Sequence, residues 1–185
     1  MSVQSDRWIR KMALELGMIE PFEEQQVRAG ISFGLSSYGY DFRIDRTFKV
    51  PNLASKKLFD PKAVASDDFT DVVGDACDIP AGSYVLGHTV EYFRIPRDVI
   101  TIAFGKSTYA RSGVLVNVTP FEPEWEGHAT IAIVNTSQRP VRIYAGEGIG
   151  QILFLQAAEP CAISYADKKG KYQASRGITT AKGKG

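Results

Sequence analysis

The sequence predicts a mostly β chain, a β-barrel or jelly roll with a short helical appendage at its N-terminus. Three observations carry that prediction. One amphipathic segment with helical spacing stands at the start, and many short runs rich in β-branched and aromatic residues follow it. Each run is then cut by Gly, Pro or Asn at intervals that suit turns between strands. At 185 residues the chain can bury a core, and it is read as one domain over 1–185.

Residues 5–16 supply the helix. Ser5 or Asp6 caps it, Trp8, Met12 and Leu16 fall four apart with Ile9 and Ala13 beside them, and Gly17 ends it. Residues 21–29 suit a second short helix, with Pro21 in its first turn and Glu23 and Glu24 near its positive end. Strands are expected at 40–44, 84–93 (with a break near Gly87), 99–104, 114–118, 129–135, 141–144 and 151–155. Turns at 79–82, 95–98 and 145–148 separate several of them. From Asp167 the chain turns polar, basic and glycine-rich. Two readings stand for 165–185: a frayed terminus, or a lid that orders over a ligand.

The charge balance excludes some functions. Twenty-two Lys and Arg against 21 Asp and Glu leave a net charge of +1. That offers no field for nucleic acid or for an anionic membrane, so neither partner is expected. Cys77 and Cys161 show no paired spacing, which suits two reduced thiols in a cytoplasmic protein. No run approaches the roughly 18 apolar residues of a spanning helix, and the N-terminus lacks a leader's apolar core.

Two segments are dense in chemistry. Gly105-Lys106-Ser107-Thr108-Tyr109-Ala110-Arg111-Ser112-Gly113 packs glycines, hydroxyls, an ammonium and a guanidinium together, a set able to meet a phosphate chain. It is not a Walker loop, since Ile100 stands where that motif needs its first glycine. Thr119 to Gly127 sets Glu122, Glu124 and Glu126 among prolines and aromatics, for acid–base work or for holding a sugar hydroxyl. A solvent-facing turn is the competing reading of both. A zinc nucleobase deaminase would need a His or Cys ligand beside a Glu and then PCxxC, and neither cysteine here belongs to a CxxC pair. No metal site is expected, and His88 and His128 have no visible nucleophile beside them.

Four segments, in order, resemble the motifs of the dUTPase and dCTP deaminase superfamily. They are Ser37-Tyr38-Gly39-Tyr40-Asp41, Gly105-Lys106-Ser107 with its extension to Arg111, Asn117 to Gly127, and Gly148-Ile149-Gly150-Gln151. The tail, with Ser164-Tyr165-Ala166-Asp167 and Gly170-Lys171-Tyr172-Gln173, is similar to that of bacterial dCTP deaminases. The resemblance implies a dUTPase-like distorted jelly roll, a homotrimer with active sites between subunits, and hydrolysis of dCTP to dUTP and ammonia. It implies no cofactor for catalysis, magnesium carried by the triphosphate, and dUTP and the end product dTTP as further ligands. Lys106, Ser107, Thr108, Tyr109, Ala110 and Arg111 would hold the triphosphate and the reacting end, with Ser107 and Arg111 orienting water and polarising the base. The backbone of Thr130 and Ile131 would read the cytosine edge. Glu122 lies where dUTPases place an aspartate against the deoxyribose, Gln151 and Tyr165 would help hold the nucleotide, and Lys171 would reach the phosphates.

Two positions depart from that pattern. The family places a glutamate three residues before an asparagine in the strand after the third motif, and here that position is Ala132. One carboxylate there would move a proton from the attacking water to the ring and on to the leaving amine; a methyl group cannot. Losing a general base costs roughly 10²–10⁴-fold or more in rate. Ser175 stands where the family usually has a phosphate-contacting glutamine, and its shorter side chain would need a bridging water. Three readings of Ala132 are open: an introduced change in an otherwise complete site, a naturally silent nucleotide-binding relative, or replacement by Glu122, Glu124 or Glu126. Hydrolysis of the triphosphate, as in dUTPases or bifunctional deaminase–dUTPases, is the alternative activity.

Overall fold

A computed structural model describes residues 1–183. The elements run β1 (Ser2–Val3), α1 (Asp6–Leu16), β2 (Ile19–Glu20), β3 (Gly34–Ser36), β4 (Gly39–Arg43), β5 (Thr47–Pro51), β6 (Phe69–Val73) and β7 (Ala76–Ile79). They continue with β8 (Tyr84–Arg94), β9 (Val99–Gly105), α2 (Ser107–Ala110), β10 (Val114–Asn117), β11 (Glu126–Asn135), β12 (Val141–Tyr144) and β13 (Gly148–Gln156). Helix α1 ends as its sequence requires: Gly17 takes the left-handed conformation at φ 63° and its N–H bonds back to the Ala13 carbonyl. Ile9 and Ala13 are its buried stripe.

The chain is mostly β, as expected, but among the described residues its strands form three open sheets not closed into a barrel, which corrects the expected distorted jelly roll or β-barrel. A five-stranded sheet runs β1-β13-β4-β3, with β9 also paired to β13. A six-stranded sheet runs β10-β11-β8-β5-β6, with β2 also paired to β8, and β12-β7 forms a third sheet. Strand β13 organises the first. Its Gly148–Ile152 half pairs with β4, Leu155 and Gln156 pair with β1, and β9 pairs from Gly150 to Gln156. Closure would need a ladder between sheets. Where β9 nears β10, Gly105 sits against the Val116 side chain, and no ladder joins the two strands among the described residues.

Two further expectations change. Strand β8 is continuous through Gly87, because a side chain there would collide with Ile44 and the absent one lets the sheets pack. Residues 21–29 form no helix. Their backbone is used otherwise, with Val27 and Phe33 exchanging hydrogen bonds and Leu35 N–H donating to the Glu23 carbonyl. The core between the sheets includes Tyr40, Phe42, Phe48, Phe93, Ile131, Ile133 and Phe154, all fully buried.

Candidate active site

The site residues fall into separate groups on one chain. The first lies where β4, β13 and β9 run abreast, with Asp41 opposite Gln151 and Gln151 opposite Phe104. Two residues beyond Phe104 the chain leaves the sheet at Lys106, whose N–H bonds the Ile149 carbonyl. Lys106 Nζ then reaches Asp41 Oδ2 at 2.6 Å and Ser32 Oγ at 3.1 Å. Gln151 Nε2 donates to Asp41 Oδ1 at 2.9 Å and Gln26 Nε2 donates to Oδ2 at 3.0 Å. The Asp41 side chain is 1% exposed, so a buried carboxylate gathers donors from three segments.

From Lys106 the chain enters the single turn α2. Ser107, Thr108, Ala110 and Arg111 are exposed, and Arg111 Nη1 donates to the Ser107 carbonyl at 3.2 Å. Tyr109 faces the core, where its hydroxyl accepts the Tyr144 N–H at 3.0 Å and burial pushes its pKa up to about 12. Arg111 also borders a groove with Arg139, Arg142, Ser112 and Ser137 that the sequence did not single out. Arg142 is held there by both oxygens of Asp78.

The second group lines a cleft of about 1050 Å³. Strand β11 supplies one wall by strict alternation: Gly127, Ala129, Ile131, Ile133 and Asn135 are buried, while His128, Thr130, Ala132 and Val134 share the other face. His128 and Thr130 line the cleft. Ala132 follows two residues along, paired with Asn117 of β10 and Leu86 of β8. Burial lowers the His128 pKa, and its Nδ1 meets the Thr89 carbonyl at 3.0 Å, so the neutral ring carries its proton on Nδ1. His88 Nδ1 shares that carbonyl at 2.9 Å.

The third motif and the tail close the cleft. Phe121 and Trp125 pack at a 4.8 Å centroid distance, and Trp125 Nε1 donates to the Tyr172 carbonyl at 2.9 Å. Tyr165 is fixed by its N–H on the Pro123 carbonyl, and its hydroxyl accepts the Tyr172 N–H. Lys171 Nζ donates to the Lys182 carbonyl at 2.8 Å. Ser175 pairs in parallel with Gly127, its carbonyl takes the His128 N–H, and its Oγ donates to the Tyr172 carbonyl. Of the expected lid, Lys184 and Gly185 lie outside the described residues.

The three carboxylates of the third motif are engaged. Glu122 takes Lys168 at 2.6 Å, Glu124 takes Arg97 at 2.7 Å, and Glu126 accepts the Tyr92 hydroxyl at 3.0 Å. Among the described residues no group of three or more His, Cys, Asp or Glu is arranged to hold a metal ion, and no helix is long and apolar enough to cross a membrane. Glu122, Thr130, Tyr165, Lys171 and Ser175 therefore converge on the cleft, Lys106 and Gln151 meet at Asp41, and Ser107 and Arg111 lie on the surface at α2, apart from both. Asp41, which pairs with Lys106, and His128 and Trp125, which line the cleft, were not among the candidates read from the sequence. Asp41 and Trp125 lay inside quoted motifs, and only three-dimensional contact shows what they touch.

A family profile described as dCTP deaminase-like matches residues 3–157. A dCTP deaminase of Chloroflexus aggregans is 60% identical over 179 residues, covering 96% of this chain and 96% of that one. A dCTP deaminase of Chlamydia abortus is 56% identical over 186 residues, covering 97% of this chain and 98% of that one. Among solved structures, the 2'-deoxycytidine 5'-triphosphate deaminase from Agrobacterium tumefaciens matches with a TM-score of 0.60 over 82% of this chain, at 17% identity. The match spans 47% of that longer chain, and it speaks to the fold alone.

Proposed function

The chain belongs to the dCTP deaminase-like family, and from that premise we propose that it binds dCTP and is laid out to deaminate it, with Ala132 leaving out the carboxylate that moves the proton. The observation that carries this reading is the place of Ala132 on β11. It shares a face with Thr130 of the cleft wall, while the carboxylates of the neighbouring motif are each already paired. Deamination needs water oxygen to bond to C4, a proton to reach N3, and ammonia to leave with a further proton. Ser107 and Arg111 would orient the water and polarise the base; the Thr130 and Ile131 backbone would recognise the cytosine edge. Lys106, Gln151, Tyr165 and Lys171 would hold the rest of the nucleotide.

The division of these residues supports a homotrimer, in which one copy's α2 region meets another copy's cleft. Strands β9 and β10 expose Ile102, Phe104 and Leu115, and Phe104 and Leu115 are each 57% exposed, an apolar surface suited to a second copy. Magnesium would arrive on the triphosphate as part of the substrate; a hard ion bound by phosphate oxygens and water needs few protein ligands. A reading without turnover, as a nucleotide-binding relative, is favoured by the same alanine.

Calorimetry with dCTP, dUTP and dTTP, beside light scattering for mass, tests the proposal. The expected result is dCTP binding at one site per chain in a particle of three chains. A monomer that ignores all three nucleotides would contradict it.

A further inference from the structure

We infer that Asp41 is a positioning residue of the nucleotide site, holding Lys106 and Gln151 so that their remaining donors meet the ligand; the role rests on the proposed nucleotide reading. Asp41 belongs to β4 and is fully walled in, yet its carboxylate accepts Lys106 Nζ, Gln151 Nε2 and Gln26 Nε2 between 2.6 and 3.0 Å. Taking a carboxylate out of water is costly unless its lone pairs are matched, and here they are.

What the pairing leaves over is informative. An ammonium has three N–H donors, and Asp41 and Ser32 take two of them. A carboxamide has two N–H donors and an acceptor oxygen, and Asp41 takes one donor of Gln151. Each side chain thus keeps capacity for a ligand while losing its freedom to turn. A free lysine stem has many rotamers, and ordering it before the ligand arrives removes that cost from binding. Lys106 is also next to Ser107, where the chain emerges from the sheet to the surface. An ion pair serving stability alone would leave no reason for Asp41 to join residues from two separate nucleotide motifs.

The test compares the full chain with Asp41→Asn and Asp41→Glu by two readouts. The first is acylation of each lysine by a soluble amine reagent, located by mass spectrometry, with exposed Lys11 as internal reference. The second is affinity for dCTP against deoxycytidine. Asp41→Asn is expected to raise Lys106 acylation several-fold relative to Lys11. It should also weaken dCTP about tenfold more than deoxycytidine, with partial recovery in Asp41→Glu. A parent that binds dCTP with Asp41→Asn binding it equally overturns the positioning role alone. A parent that binds no dCTP overturns the nucleotide reading and the role with it. Equal losses for both ligands mean a structural pair and also overturn it. Should Asp41→Asn fail to fold, Lys106→Ala removes the ammonium that Asp41 holds and should weaken dCTP far more than deoxycytidine. A folded Lys106→Ala that binds dCTP as the parent does overturns the inference.

Discussion

Thr179 donates its backbone N–H to Thr130 Oγ1 at 2.9 Å, which ties the tail to the strand that walls the cleft. Two further bonds join the same partners, Ala174 N–H to the Glu126 carbonyl and His128 N–H to the Ser175 carbonyl. The tail is thus docked along β11 residue by residue. Thr130→Val keeps the shape and removes the acceptor. A lost hydrogen bond of about 1 kcal/mol should speed proteolysis between Lys168 and Lys182 roughly fivefold. Equal cleavage rates would mean that this bond does not hold the tail.

The tail should also come loose in acid. Asp167 accepts the Ser164 N–H at 3.0 Å and the Arg97 guanidinium at 2.7 Å, and those contacts, the backbone bond foremost, hold its pKa below the ordinary 3.8. A depressed carboxylate stabilises the folded form above its unfolded value, and that contribution is lost as pH falls through the lower folded value. Amide exchange around residues 164–170 should stay slow, after correction for intrinsic rates, down to about pH 4 and quicken below it. Asp167→Asn should remove the dependence.

Gly150 separates two strands that leave no room. A Cβ there would lie 2.5 Å from the Phe42 ring and 2.7 Å from the Phe104 carbonyl. Overpacking of this kind costs about 1–3 kcal/mol, so Gly150→Ala should lower the unfolding free energy by that amount, read as a lower denaturant midpoint at unchanged m. A neutral result would show that β13 can shift away from β9.

Glu91 is fully buried and accepts from Arg43 N–H at 2.9 Å, Arg43 Nε at 2.8 Å and the Tyr40 hydroxyl at 3.4 Å. Burial pushes its pKa up, against the opposing pull of Arg43. Removing one charge of a buried pair strands the other, so Glu91→Gln should cost about 3–5 kcal/mol, measured by denaturant unfolding. A cost under about 1 kcal/mol would mean that water reaches Arg43.

Local signals made some of this legible before any coordinates. Helix α1 carries its cap, its stripe and its terminating Gly17 within one stretch, and β11 shows its faces by alternation. Strands β5 and β6 were missed because Lys49 and Asp71 interrupt them, and they are held by pairing with each other and, for β5, with β8. Residues 21–29 carry helix-like ends, but their carbonyls and N–H groups are spent on residues 33–35. Alternation tells which face of a strand is wet; it does not tell whether the last ladder closes, so three open sheets were not foreseen. Asp41 was visible as a letter in a motif, but its partner Lys106 lies 65 residues away. The separation of the cleft residues from the α2 region on one chain follows from no local spacing; only the resemblance, with its sites between subunits, pointed that way.

The most direct measurement is ammonia and dUTP release from dCTP by the chain as it stands and by Ala132→Glu. Little or no product is expected from the parent and a gain of at least roughly 10²–10⁴-fold in the variant, with similar dCTP affinity in both. A parent that already deaminates at the variant's rate, or a variant that binds dCTP and releases no ammonia, would contradict that expectation.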